Sequence, residues 1–342
     1  MKLLHKNNPF IIAELSANHG HKLDTAINTI KAAKRAGADA IKLQTYTPET
    51  ITIDCRNKYF TKVLDGSIWQ GRSLYDLYKE AYTPWEWHKE LFHVANEEGL
   101  ICFSTPFDKT SVDFLEQFNP PAYKVASFEI QDIQLIEYIA SKGRPMIIST
   151  GIAEIKDIEL AVDTCRKAKN NDIILLKCTS SYPAPIDEIN LATMSDMKKR
   201  FGTEVGLSDH TLGIVAPVVG VTLGAAVIEK HFIMDKSIGG PDASFSLDEK
   251  EFTEMVLAVR LAKKAIGKVS YELTDKIKAN KQFGRSLFIV KDIKAGETFT
   301  EENIRSIRPA FGLHPKYLKE VLGKKAKMNL KKGEPLKKEF YI

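Results

Sequence analysis

The feature that most constrains the fold is a repeated ending. Phe10-Ile11-Ile12-Ala13-Glu14, Ala40-Ile41-Lys42-Leu43-Gln44, Tyr123-Lys124-Val125-Ala126-Ser127, Val205-Gly206-Leu207-Ser208-Asp209-His210 and Val227-Ile228-Glu229-Lys230-His231 are apolar, strand-like runs that close on charged or polar residues. Packing of a buried strand does not call for such endings. In a parallel α/β barrel the carboxyl ends of all strands converge on one face, so residues far apart in the chain meet in one pocket. That pocket is the expected active site.

Between these runs, apolar alternation and helical periodicity trade places. Helical stretches are expected at 23–37, 83–98, 110–118, 133–142, 155–169, 191–201, 215–224 and 247–267, with Thr83 placed to cap and Pro84 in a first turn. Strands are expected at 10–14, 40–46, 100–106, 122–127, 145–150, 172–179, 204–209 and 226–233, and a long excursion rich in Tyr and charge fills 47–82. Eight strand-helix units within 267 residues are what a closed (β/α)8 TIM barrel requires. A doubly wound open sheet is the runner-up, but no GxGxxG follows the first strand. The expected fold class is therefore α/β, a barrel over 1–267, then a polar linker at 268–283 and a small β-rich domain at 284–342. A domain that small has a modest core and is expected to pack against something.

Composition excludes several classes. A hydrophobic content of 44% with 27% charged residues is ordinary for a globular protein. No apolar run reaches the ~18 residues that span a bilayer, and Met1–Asn8 carries no apolar signal core, so a cytoplasmic protein without membrane partners is expected. Cys55, Cys102, Cys165 and Cys178 show no CxxC spacing and read as reduced thiols. From Arg285 onward 14 Lys and Arg face 7 Asp and Glu, which leaves about −2 of the total +5 to the rest. This basic end is either a solvated face or a lid for an anionic substrate. It lacks clustered aromatics, which argues against nucleic acid.

The strand ends suggest chemistry. His210 and His231 are 21 residues apart but close successive strands, which places them side by side, within reach of one divalent ion. Two imidazoles with no further anion nearby in sequence suit weakly held Mn²⁺ or Mg²⁺, with Co²⁺ a third candidate, better than a closed zinc site. An inward Lys42 or Lys124 is costly unless an anion pairs with it. The partner is either a structural carboxylate, Glu14 or Glu129, or a substrate phosphate cradled with hydroxyls from Ser104, Thr105, Ser127, Ser149 and Ser208. Glu14 and Glu129 are candidates for acid-base work, and Asp242 sits in a glycine-rich loop past the eighth strand, where it is either a turn residue or part of the site.

Glu14 with Asn18-His19, Lys42 to Tyr46, Ser104 to Asp108, Tyr123 to Ser127, Ser149 to Gly151, Cys178 to Pro183, Gly206 to His210, Glu229 to Phe232 and Gly240-Pro241-Asp242 run, in this order, like the sialic acid synthase family. Members join phosphoenolpyruvate to an N-acetylated hexose. Arg285 to Leu287, Asp292 to Glu297 and Arg308-Pro309 resemble the antifreeze-like (SAF) domain of such synthases. Together the matches span nearly the whole chain. The resemblance implies that His210 and His231 bind the metal and that Lys42, Lys124, Thr105, Ser127, Ser149 and Ser208 hold phosphoenolpyruvate. Glu129 would assist the enol carbon or the water, and Glu14 and Asp242 would orient the sugar and a metal-held water. Gln44 and Tyr182 would line the pocket, and Arg308 would cap the partner's site in a domain-swapped homodimer.

Two departures bear on the sugar. Ser180-Ser181-Tyr182-Pro183 stands where neuraminate synthases usually show Asn-x-Tyr-Pro, so that Ser180 takes the Asn position, and Ala243 stands in place of a His. Ala126 to Ile130 and Gly239 to Leu247 resemble the pseudaminate-forming members instead, whose sugar is 2,4-diacetamido-2,4,6-trideoxy-L-altrose. Phe128 and Phe245 are expected to face its methyl and acetyl groups. N-acetylneuraminate or legionaminate synthesis, on another N-acetylated sugar, remains the alternative, and a non-catalytic sugar- or ice-binding protein is the reading from another class.

Overall fold

The computed structural model describes residues 8–61 and 69–342. The opening residues 1–7, and the part of the excursion at 62–68, lie outside the described residues. The chain divides into two compact units, Met1–Gly267 and Lys268–Ile342.

The first unit is a closed barrel of eight parallel strands in sequential order. They are β1 (Phe10–Glu14), β2 (Ala40–Thr45), β3 (Ile101–Pro106), β4 (Tyr123–Val125), β5 (Met146–Ser149), β6 (Ile173–Cys178), β7 (Glu204–Asp209) and β8 (Val227–His231). β8 closes on β1 with Glu14 paired to His231, and β1 pairs β2 with Glu14 opposite Lys42. Side chains alternate across a strand, so each strand contributes one set to the interior and one to the surrounding helices. Phe10, Ile12, Ala40, Phe103, Ile147, Ile174, Leu176 and Val227 form one apolar plug inside the barrel. Ile11, Ile41, Leu43, Tyr123, Ile148, Leu175 and Ile228 point the other way, into the core shared with the helices. β7 approaches β8 so closely that a Cβ on Gly206 would stand 2.5 Å from the Val227 carbonyl oxygen, and only glycine fits.

The helices follow the expected order. Leu23–Arg35 buries Ala26, Ile30 and Ala33, and Gly37 turns out of it with φ +89°. Asp108 caps Lys109–Glu116 by accepting from the Thr110 and Ser111 amides. Glu249–Ile266 opens with a capping box of Asp248 and Glu251. One expectation is corrected: Thr83 caps nothing. Pro84 leads into a 3-10 turn, Trp85–Trp87, and the α-helix starts at His88. Thr83 is buried instead, 3.4 Å from His19 Nε2. Within the excursion, Pro48–Ile51, Lys58–Thr61 and Leu74–Ala81 are short helices.

In the second unit β9 (Ser286–Ile289) pairs antiparallel with β10 (Ile304–Ile307). Single bridges such as Ile293 to Leu330 and Thr298 to Lys325 extend the β character. Leu287, Ile289, Phe299, Ile304, Leu330 and Leu336 form its core. Residues 268–283 belong to this unit and hold an exposed helix, Asp275–Asn280, capped by the Thr274 side chain. Among the described residues no helix is long and apolar enough to cross a membrane.

Candidate active site

The inward set that forms the apolar plug continues upward along each strand into charge. Above Ile12 stands Glu14, above Ala40 stand Lys42 and Gln44, above Ile147 stands Ser149, and above Val227 stand Glu229 and His231. These residues line a cavity of about 530 Å³ at the carboxyl ends of the strands.

Its floor is a buried ion cluster. Lys42 Nζ lies 2.5 Å from Glu14 Oε2 and 3.8 Å from Glu229 Oε1, and Lys124 Nζ lies 3.9 Å from the same Glu229 oxygen. Lys42 also donates to Thr105 Oγ1 at 3.2 Å, and Ser208 donates to Glu229 at 3.1 Å. Burial works against the charge on Lys42, but Glu14 and Glu229 outweigh it and its pKa ends above the ordinary value. Burial prevails at Lys124, whose pKa falls, and at Glu14, whose pKa rises. Glu129 is likewise pushed up to about 7 by burial, against the pull of Lys124. Burial pushes Glu229 up, but Lys124 and Lys42 outweigh it and its pKa ends below the ordinary value. Two ammonium groups, with Glu14 and Glu129 able to take up protons, leave the floor poised for a multiply charged anion.

The wall beside it carries the imidazoles. The rings of His210 and His231 have centroids 5.3 Å apart. His210 Nδ1 is 3.1 Å from the Thr179 carbonyl and so donates there, and burial works against its charge while Cys178 and Thr179 raise its pKa; in the neutral ring Nε2 carries the lone pair. His231 Nδ1 is buried with no hydrogen-bond partner among the described residues, 3.9 Å from Asp242 Oδ2. Burial, with His210 and the lysines nearby, holds the His231 pKa well below its usual value, so the ring is neutral. A neutral imidazole with an orphaned nitrogen, a second with Nε2 free and a carboxylate close by fit a divalent ion. Among the described residues no three His, Cys, Asp or Glu converge to ligating distance. Asp242, distant in sequence but expected in this pocket, stands beside His231. Behind the imidazoles, on the outward face, Lys230 Nζ bonds Asp209 Oδ2 at 2.5 Å and the Thr211 carbonyl at 2.6 Å, pinning β7 to β8.

Of the expected residues, Glu14, Lys42, Gln44, Lys124, Ser127 and Glu129 line the cavity, as do Ser149, Tyr182, Ser208, His210, His231 and Asp242. Thr105 does not; it accepts a hydrogen bond from Lys42. Ser180 is also off the lining and bonds Ser127 Oγ at 2.6 Å, crowded by Gly151, where a Cβ would overlap the hydroxyl. Arg308 belongs to the second unit, next to β10. The carboxylates that neutralise Lys42 are Glu14 and Glu229, not Glu129. Phe128 lines the cavity and is 57% exposed, but Phe245 does not face it; it is buried against His231, with centroids 4.9 Å apart.

The sequence reading assigned no role to Glu229, although it stands two residues before His231 and so shares its face. It also missed an apolar wall from the excursion, Ile51, Trp69, Leu74, Leu77 and Tyr78. Trp69 donates to the Pro241 carbonyl and packs 5.7 Å from the Tyr182 ring, which places this wall beside the imidazoles. Ser16 was missed too. It lines the cavity with a backbone φ of +47°, a conformation that costs a residue other than glycine on the order of 1–3 kcal/mol.

Comparison with known proteins places the chain among relatives. A pseudaminic acid synthase of Campylobacter jejuni is 51% identical over 96% of this chain and 95% of its own length. A pseudaminic acid synthase of Helicobacter pylori is 46% identical over 96% of each. The solved N-acetylneuraminic acid (sialic acid) synthetase of Leptospira borgpetersenii, in complex with citrate, superposes with a TM-score of 0.71 at 32% identity, over 81% of this chain and 92% of that one. An SAF domain matches residues 284–340. With the NeuB family model matching residues 29–271, and relatives of this identity along nearly its full length, the chain belongs to the NeuB family.

Proposed function

We propose that the chain condenses phosphoenolpyruvate with 2,4-diacetamido-2,4,6-trideoxy-L-altrose and water to give pseudaminic acid and phosphate. The observation that carries this reading is the convergence of two buried ammonium groups and two imidazoles in one cavity. The naming of relatives at 46–51% identity supports the choice of sugar, and so does the wall of Leu74, Leu77 and Tyr78, since an apolar surface accepts a 6-methyl group without leaving a hydroxyl unpaired.

Lys42 and Lys124 hold the phosphate, with Ser149 Oγ, which has no hydrogen-bond partner among the described residues, and Ser127 and Ser208 as further donors. Glu229 and Glu14 keep the lysines charged and aimed. The enol carbon C3 attacks the open-chain aldehyde carbon, forming the new C–C bond, and the aldehyde oxygen takes a proton to become a hydroxyl. Water adds to C2, losing that proton. The C2–O bond to phosphorus then breaks, phosphate leaves with its bridging oxygen, and the remaining hydroxyl proton passes to it as the ketone forms. Glu129, with a pKa near 7, is matched to moving protons at the water. Most of the rate advantage is expected from holding the two substrates in contact. His210 Nε2 and His231 would hold a divalent ion, Mn²⁺ or Mg²⁺ or Co²⁺, with Asp242 beside them to orient the sugar, and when bound the ion supplies a fixed positive charge for the aldehyde oxygen.

A domain-swapped homodimer, with Arg308 of one protomer capping the site of its partner, completes the proposal. Exposed Val215, Val219, Leu257 and Leu261 on two neighbouring barrel helices support an assembly. A cytoplasmic site of action follows from the supply of phosphoenolpyruvate. Phosphate release across three N-acetylated sugars tests the function: turnover confined to the gluco- or manno-configured sugars would replace pseudaminate with legionaminate or neuraminate. Titration with phosphoenolpyruvate, with and without Mn²⁺, tests the enzyme class, since binding in neither case would leave a sugar- or ice-binding protein. Mixing His231→Ala with Arg308→Ala subunits tests the cap, because heterodimers that recover no activity would place Arg308 outside the partner's site.

A further inference from the structure

The loop after β1 contains a side chain that neither the motifs nor the chemistry above uses. Ser16 is buried, its backbone lies in the left-handed region at φ +47°, and its hydroxyl is engaged on two sides. Gln44 Nε2 donates one hydrogen to Glu14 Oε1 at 2.8 Å and the other to Ser16 Oγ at 2.9 Å. Ser16 Oγ in turn donates to Asp242 Oδ2 at 2.5 Å. The direction of each bond is fixed, because an amide nitrogen only donates and the serine has a single hydrogen. A line of side chains therefore runs from Lys42 through Glu14, Gln44 and Ser16 to Asp242, whose carboxylate faces His231.

Asp242 needs such a hold. It follows Gly239 and Gly240, which have φ of +70° and +110°, on a loop whose backbone is anchored by Trp69, which donates to the Pro241 carbonyl, and by Ser246, which donates to the Asp242 carbonyl, while the Ala17 amide approaches Oδ2 at 3.5 Å. With Oδ2 taken by Ser16, Oδ1 is the oxygen left for a ligand. We propose that Ser16 is a positioning residue that aims the Asp242 carboxylate at the sugar and couples it to the ion cluster that holds phosphoenolpyruvate. A residue retained in left-handed backbone at the edge of a cavity, where glycine would sit without strain, is explained by what its hydroxyl does there. The proposal rests on the synthase reading above.

The decisive variant is Ser16→Gly, because it removes the hydroxyl and relieves the backbone together. The expected result is a kcat about 10-fold lower, the loss of one hydrogen bond to a charged group, with the KM for phosphoenolpyruvate within about twofold and a melting temperature equal to or above the wild type. A purely structural serine would show the reverse, a lower melting temperature with kcat retained, and that result overturns the proposal. In an Asp242→Ala background the same change should cost less than about twofold, since its target is gone; losses that multiply instead also overturn it. Ser16→Ala, which keeps the Cβ and removes only the hydroxyl, gives the same kinetic test should the glycine variant fold poorly. If the wild type releases no phosphate with any of the three sugars, the synthase reading has failed. Ser16 is then judged by calorimetric titration of those sugars, where weaker binding at an unchanged melting temperature sustains its role and equal binding removes it.

Discussion

The two ends of the barrel interior are built from the same strands with the same alternation, yet they do opposite things. At the lower end Phe10, Ile12, Phe103, Ile147, Ile174 and Val227 close an apolar plug. One layer higher, Glu14, Lys42, Lys124 and Glu229 bury charges that make sense only as a set. Backbone geometry decides which residues point inward, and height along the strand decides what they must be. The plug can be judged by volume alone, whereas the mouth is judged by whether each charge has a partner.

That contrast is open to direct attack. The largest effect is expected for Lys42→Met, which leaves Glu14 and Glu229 without their shared cation: a loss of roughly 3–5 kcal/mol in denaturant unfolding together with at least ~10³ in phosphate release. The loss should shrink at acid pH, where Glu14 takes up a proton. If Lys42→Met proves as stable as wild type at pH 8, the cluster is not a mutual set. His231→Ala is expected to abolish phosphate release at low Mn²⁺ with little change in unfolding, since it removes a neutral ring whose Nδ1 has no hydrogen-bond partner among the described residues; unchanged turnover in metal-depleted buffer would refute a metal-holding role. Phe103→Ala, in the plug, should invert that pattern and cost about 3–5 kcal/mol while the folded fraction keeps its kcat.

The smallest effect distinguishes the two ends by pH. Glu129 has a native pKa near 7 against 4.5 when unfolded, so the native state holds its proton more tightly. Its contribution to stability is complete below about pH 4.5 and lost as pH rises through 7. Glu129→Gln should therefore match wild type near pH 4 and exceed it by up to ~3 kcal/mol above pH 8, at 1.36 kcal/mol per unit, whereas Ile147→Val in the plug should shift stability equally at every pH. A Glu129→Gln difference that does not vary with pH would remove the burial argument.

Much of this division was legible in the amino-acid sequence, because a strand that ends Ile-Ile-Ala-Glu or Ile-Glu-Lys-His announces its own mouth. His210, His231, Lys42 and Lys124 were found that way. Glu229 was as legible by parity, two residues before His231 on the same face, while its neighbour Lys230 points outward to Asp209. Ser16 left no such mark, because a serine after a strand is commonplace and only backbone geometry shows that this one is strained. Thr83 misled for the opposite reason: Thr-Pro before an apolar run is good capping chemistry, but tertiary packing drew the threonine inward. Phe245 was expected at the sugar from the resemblance of its loop and the sugar's apolar groups, neither of which tells a ligand-facing ring from one that backs a histidine. In the small unit the strands are four residues each and most pairings are single bridges, too brief for alternation to register.

The bond from Lys230 to Asp209 works on the hidden side of the two strands that carry the imidazoles. Its consequence is that the gap between those rings is a property of the scaffold and does not depend on what fills it. A chelator-stripped sample should thus keep its circular dichroism spectrum, and turnover should return on adding back the ion as fast as mixing allows, with no lag for refolding.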